Sequence, residues 1–178
     1  METLWICFIA TRGKNLLRLN VAPCFRCFCR ALARVQKYIP NVRIVSIGNV
    51  VPQYEEQADL RREKEKYKIV FIGRMVRNHK RPHLLIEAFI KIAAEFPDWT
   101  LELWGAEDNK RYQKELQAMI ERAGLAERIL FCGTTTNVPA VLVDADLYVM
   151  PSAYEGFGLS LAEGMSMGLP AVGYQNCV

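Results

Sequence analysis

The sequence predicts an α/β fold, a parallel sheet with helices on both faces, and two observations carry the prediction. From residue 68 to residue 174, short apolar runs alternate with segments whose apolar residues recur at helical spacing. Units of this length and order are those of parallel strands returned by crossover helices. The apolar runs also exit into loops that carry glycine, at Gly73, Gly105, Gly133 and the pair Gly156 and Gly158. In open parallel sheets ligands bind outside the carboxyl ends of the strands, so these loops are expected to converge on one crevice.

The elements follow in order. Residues 68–73 read as the first strand, and 82–95 as a helix with Leu85, Ile86, Phe89 and Ile92 on one face. Residues 100–104 give a second strand, and 111–123 a helix stopped by Gly124. The alternation continues as a strand over 129–132, a helix over 138–144, a strand over 147–150, a helix over 159–167 and a strand over 171–174. Trp99, Trp104 and Phe131 lie on or beside strands and are assigned to the core. Upstream the signal fades: 1–40 has weak periodicity, with a helix over 30–38 ending before Pro40, then a strand over 43–50 and a charged linker over 53–66.

Composition bounds the function. The chain has 178 residues, 51% of them apolar, enough for one ordinary domain core. Residues 1–54 hold eight Lys or Arg against one acid, a net +7 that leaves −3 for the remainder of a chain carrying +4. This basic, aromatic-bearing stretch suits peripheral contact with an anionic membrane, or is part of another domain whose acidic neighbours lie elsewhere; nucleic acid is not expected. The apolar run 4–10 is too short for a membrane span and wrongly flanked for a signal peptide. The six cysteines show no disulfide-like spacing, which predicts a reduced, cytoplasmic compartment. Cys24, Cys27 and Cys29 cluster, but no fourth ligand pairs with them, so they read as free thiols rather than a zinc site.

The chemistry concentrates between residues 148 and 165, where a short apolar strand leads through Pro151 and Glu155 to Gly156, Phe157 and Gly158, and a helix opens at Leu159. A glycine-lined helix start presents bare N–H donors and the positive end of the helix dipole, and so suits a phosphate. Glu155 precedes the helix and Glu163 lies inside it. At about 1.5 Å per residue the two acids would address separate ends of an elongated ligand, such as a nucleoside diphosphate sugar. Arg74 and Lys80 follow the first strand, where a guanidinium fork and an ammonium can reach a diphosphate. Arg77 and Arg81 read as solvated loop, and His79 and His83 as loop and helix surface, with His79 a minor candidate for a phosphate contact.

Glu155-Gly156-Phe157-Gly158-Leu159-Ser160-Leu161-Ala162-Glu163, followed by Gly164, Met165, Gly168 and Pro170, resembles the E-x7-E signature of retaining glycosyltransferases built from two Rossmann-like domains, the GT-B type. The group it is most similar to is "glycosyl transferases group 1", family four. Gly73-Arg74, Lys80 and the run Leu85-Ile86-Glu87-Ala88-Phe89 resemble a second motif of that family, and residues 47–52 its interdomain link. The resemblance implies a Rossmann-like donor-binding domain over 44–178, truncated at its end, behind a basic, Cys-rich remnant or atypical segment over 1–43. It implies a hexosyl transfer from a nucleoside diphosphate sugar to a glycan or lipid-linked acceptor, with retention, and no cofactor beyond the donor. It assigns the donor sugar to Glu155, the ribose to Glu163 and the leaving diphosphate to Arg74 and Lys80, with Gly73, Gly105, Gly133, Gly156, Phe157, Gly158 and Leu159 lining the site.

Asp144-Ala145-Asp146 spells the metal-binding D-x-D of sugar transferases of another fold, but it precedes a strand, on the amino edge of the sheet. Asp146 is therefore expected to be a turn residue, and no metal is expected. A glycosidase pair would need two carboxyls facing each other about 5 to 9 Å apart, which acids flanking one helix start do not obviously do. Two alternatives stay open: a non-catalytic nucleotide- or sugar-binding module, and a GT-B-type epimerase or phosphorylase.

Overall fold

A computed structural model describes residues 4–7, 37–38 and 49–174. Its elements are β1 (Leu4–Cys7), β2 (Tyr67–Ile72), α1 (Pro82–Ile92), β3 (Trp99–Trp104), α2 (Lys110–Arg122), β4 (Ile129–Gly133), α3 (Val138–Val143), β5 (Leu147–Met150), α4 (Leu159–Ser166) and β6 (Ala171–Tyr174). The strands lie in the order β1-β6-β5-β2-β3-β4. Strands β2 to β6 pair in parallel, as the alternation predicts, and β1 adds to β6 antiparallel. Residues 4–7 therefore join the sheet, a pairing that the weak periodicity of 1–40 does not reveal. Lys37 and Tyr38, the described part of the helix expected over 30–38, are helical. Most of the strand expected over 43–50, and Cys24, Cys27 and Cys29, lie outside the described residues.

Each face of the sheet carries its own core. On one, Ile69 and Phe71 of β2 pack with Leu85, Ile86 and Phe89 of α1 and with Leu116 and Ile120 of α2. On the other, Val70 packs with Leu142 of α3, Tyr148 and Met150 of β5, and Met167 and Leu169 beyond α4. Side chains alternate across a strand, so β2 feeds both cores and is apolar on both faces. Helix α4 sits close to β5: a Cβ on Gly164 would stand 3.0 Å from the buried Tyr148 ring.

The helix ends have local and distant causes. Asn109 caps α2, its side chain accepting the N–H groups of Arg111 and Tyr112 at 2.8 and 3.2 Å, and Asn137 caps α3 through Ala140 N–H. Helix α1 ends at Ile92, three residues before the expected Glu95. Past that end, Arg128 donates to the carbonyl of Ala93 at the helix C-cap, and to those of Phe96 and Trp99 in the turn and strand that follow.

The stretch 53–66 is not a free linker. It docks on the amino edge of the sheet: Ala58 N–H donates to Met167 at 2.9 Å, Gln57 donates to the Ser166 carbonyl, and Tyr54 and Ala58 pack on the second core. Lys64 reaches Asp146 at 2.9 Å, and the other oxygen of Asp146 accepts Lys68 N–H at 2.8 Å. Asp146 is thus a buried anchor rather than a simple turn residue. Lys68 also binds Asp144 at 2.5 Å and lies 3.3 Å from Glu102, and this hydrogen bond holds the Asp144 carboxyl below its ordinary range. The D-x-D acids do stand on the amino edge, and both are taken by lysines.

At the carboxyl edge the loop glycines are stitched side by side. Gly73 N–H donates to Trp104 at 2.8 Å, and Gly105 N–H donates to Gly133 at 2.6 Å. Gly105 has φ +146°, and a Cβ there would lie 2.0 Å from the Gly73 carbonyl oxygen. Gly156, by contrast, has open space around it. Urea unfolding is expected to show Gly105→Ala destabilised by about 2 kcal/mol or more, from clash and backbone strain. The same experiment should place Gly156→Ala within about 0.5 kcal/mol of the parent.

Candidate functional site

The winding reverses at β2. One crossover leads from β2 to β3 and outward to β4, while β5 lies on the other side of β2 and leads outward to β6. The loops that leave β2 and β5 therefore diverge, and the crevice between them is where a doubly wound sheet holds its ligands.

Two predicted residues meet in that crevice. Lys80 Nζ stands 2.5 Å from Glu155 Oε1, with 16% and 10% of the two side chains exposed. Gly73 lies beneath this pair: a Cβ there would crowd the Phe71 ring at 3.1 Å and stand in ordinary contact with the Lys80 stem at 3.4 and 3.5 Å. Beyond Glu155 come the open Gly156, the half-buried Phe157, and Gly158, whose left-handed backbone (φ 74°) turns the chain into α4. No side chain caps that helix. Its first N–H groups are left for an incoming acceptor, next to the exposed Leu159.

Glu163 lies within α4. Burial pushes its carboxyl up from the ordinary glutamate value, and among the described residues no cation or hydrogen-bond donor pairs with it. Arg74 stands apart from the Lys80–Glu155 pair. Its side chain is 66% exposed and lies 3.8 Å from Asp108 in the loop after β3. That loop is tied to the loop after β2 by the Met75 N–H, which donates to Ala106 at 3.0 Å. Gly105 and Gly133 line the same carboxyl edge without reaching the charged pair directly; Gly133 is exposed.

Three residues of the site make contacts that the sequence does not show, although His79 is already a minor candidate there. His79, expected on the loop surface, has a side chain only 24% exposed; it stacks on the Tyr154 ring and lies 3.9 Å from Glu155. Arg81, expected in solvent, donates to the carbonyls of Pro151 and Ser152 and covers the Tyr174 ring. Tyr154, 62% exposed, presents the other face of that stack at the mouth of the crevice. His83, expected on the helix surface, is half-buried with Nδ1 2.7 Å from the Tyr112 hydroxyl, and burial with the nearby Arg77 charge lowers its pKa. Arg77 itself pairs with Glu115 and lies over the Tyr112 ring. A groove lined by Lys110, Arg111, Lys114, Glu115 and Ala118 draws on α2 alone and gathers none of these loops. Among the described residues no group of three His, Cys, Asp or Glu is placed to hold a metal ion, and no helix is long and apolar enough to cross a membrane.

A five-stranded parallel sheet wound in both directions, with a charged pair and an uncapped helix start at the switch point, defines a Rossmann-like domain like the carboxyl-terminal half of GT-B glycosyltransferases. The family described as Glycosyl transferases group 1 matches residues 52–178, and the chain belongs to that family. It is 37% identical over 99 residues to the lipopolysaccharide core biosynthesis mannosyltransferase LpsB of Rhizobium meliloti, a match covering 54% of this chain and 28% of that protein. The C-terminal domain of the group 1 glycosyl transferase LpcC of Francisella tularensis matches with a TM-score of 0.56 and 31% identity, over 59% of this chain and 56% of that one. Anabaena HepE, solved in complex with UDP and glucose, matches with a TM-score of 0.56 and 30% identity, over 60% of this chain and 29% of that one. The chain thus spans well under two thirds of the length of LpsB and of HepE.

The half-buried Glu163, unpaired among the described residues, sets a pH dependence. Its pKa is raised in the folded state, so its contribution to stability is fully present below the ordinary glutamate value and is lost as pH rises through the folded-state value. Glu163→Gln removes the ionisation and is expected to melt higher than the parent at pH 7. Thermal scans should show the two merging below about pH 4.

Proposed function

We propose that this chain is the donor-binding domain of a retaining glycosyltransferase that takes a hexosyl group from a nucleoside diphosphate sugar. The observation that carries the proposal is the Lys80–Glu155 pair at the switch point, set beside a helix start with no side-chain cap. An ammonium and bare N–H groups suit a diphosphate; a carboxylate one residue before the glycines suits sugar hydroxyls. HepE, a relative in fold and sequence, was solved with UDP and glucose, which makes UDP the first nucleotide to try.

In this reading Glu155 holds the donor sugar, and Glu163 accepts hydrogen bonds from the ribose hydroxyls. The donor's hydroxyls give the unpaired Glu163 carboxylate the partners that it lacks among the described residues. Lys80, Arg74 and the N–H groups at Leu159 and beyond receive the diphosphate, and the negative charge that develops on it as the glycosidic bond breaks is met by fixed positive groups. No metal is needed for that balance, and no cofactor beyond the donor is invoked. Gly73, Gly105, Gly133, Gly156, Phe157 and Gly158 allow the ligand to approach the backbone. The acceptor is a glycan or a lipid-linked glycan, met on the cytoplasmic side, with the basic segment 1–43 available for contact with an anionic membrane.

Thermal unfolding against UDP, GDP, ADP and their sugars tests the reading. At about one hundred times Kd a bound nucleotide stabilises by about 2.7 kcal/mol, several degrees for a domain of this size. One nucleotide is expected to shift the parent, with the shift lost in Arg74→Ala and Glu163→Ala. A folded parent that none of the panel shifts would refute the donor assignment.

A further inference from the structure

The tripeptide His79-Lys80-Arg81 grips five consecutive residues of the loop after β5. The His79 carbonyl accepts Ala153 N–H at 2.7 Å, and His79 Nε2 lies 2.9 Å from the Tyr154 carbonyl oxygen. A carbonyl can only accept, so Nε2 carries the ring proton in this contact. The imidazole lies flat on the Tyr154 ring, with 4.4 Å between centroids and 11° between planes. Arg81 donates from Nε to Pro151 at 3.1 Å and from Nη2 to Ser152 at 3.2 Å, both backbone carbonyls. Lys80, between them, takes Glu155.

The gripping segment is itself braced. Arg81 N–H donates to the Val76 carbonyl at 3.0 Å, closing the loop, and Met75 ties its base to the loop after β3. Among the described residues Arg81 is the one non-glycine residue with a positive φ, at 48°. L side chains disfavour that region, and such strain persists where the surroundings over-determine it. Here the left-handed turn coincides with a guanidinium reaching two carbonyls of the neighbouring loop.

We infer that His79 and Arg81 are positioning residues: the loop after β2 is a template that sets the path of 151–154 and so fixes where the Glu155 carboxylate stands. Neither side chain needs to touch the donor. The consequence for binding rests on the assignment of Glu155 to the donor sugar; the template itself does not.

Two measurements on the full 178-residue chain test this: amide hydrogen exchange, and calorimetric titration with UDP and UDP-glucose, with GDP and GDP-mannose as a second pair. The variants are His79→Ala, His79→Gln, Arg81→Ala and Arg81→Lys. In both alanine variants the Ala153 amide is expected to exchange about ten times faster, as loss of one or two loop hydrogen bonds would give, while β2 amides keep the parent's rate. Affinity for the nucleotide diphosphate should stay within about twofold of the parent, and the added affinity of its sugar should disappear. His79→Gln keeps a side-chain donor and should recover part of that gain; Arg81→Lys keeps the charge without the fork and should recover less. An unchanged Ala153 rate in both alanine variants overturns the template. Equal losses of affinity for the nucleotide and its sugar, or faster exchange in β2 as well, overturn the positioning role in favour of a general structural one. A parent that binds neither pair removes the donor assignment alone, and the exchange rates still decide the template.

Discussion

The central strand has no polar face, and the rest of the domain follows from that. Ile69, Val70 and Phe71 are buried in succession, so β2 must be covered from both sides. Helices α1 and α2 cover one face; α3 and α4 cover the other. A chain that covers both faces with short crossovers has to wind first one way and then the other from the same strand. The loops after β2 and β5 then part, and a polar crevice opens at the end of a strand buried on both faces.

What occupies the crevice is charge at low exposure. Lys80 and Glu155 are mostly withdrawn from water, and each limits the cost of burying the other. Such a pair is a poor source of stability but a good way to keep two reactive groups in register until a ligand arrives. A diphosphate would compete for the ammonium, and sugar hydroxyls for the carboxylate. Glu163 is the contrasting case. It has no countercharge among the described residues, and its burial works against the fold in the absence of a ligand.

The strands and helices from residue 67 onward were legible because period two and period 3.6 are local properties. So was the order of glycine loops, and so was the placement of Asp144 and Asp146 on the amino edge. What escaped the sequence has distant partners. Helix α1 stops short where Arg128, more than thirty residues on, takes the carbonyls past its end. The 53–66 stretch reads as solvated because it is charged, yet Gln57 and Lys64 bond residues 109 and 82 positions away. His79 and Arg81 fail for the same reason: a basic loop looks like surface until the carbonyls that it serves are brought beside it. Lys80 and Glu155 could be named from sequence, but that they touch could not.

The lysine and carboxylate network at the amino edge has an implication for how this domain can change. Lys64, Lys68, Asp144 and Asp146 satisfy one another there, at the opposite end of the strands from the loops that carry the chemistry. The six residues of β2 separate the two ends by about 17 Å. Substitutions that far apart with no shared partner act independently. The clamp at one end can therefore hold while ligand-facing side chains in the loops at the other change, and a lineage could retune its ligand without renegotiating its fold.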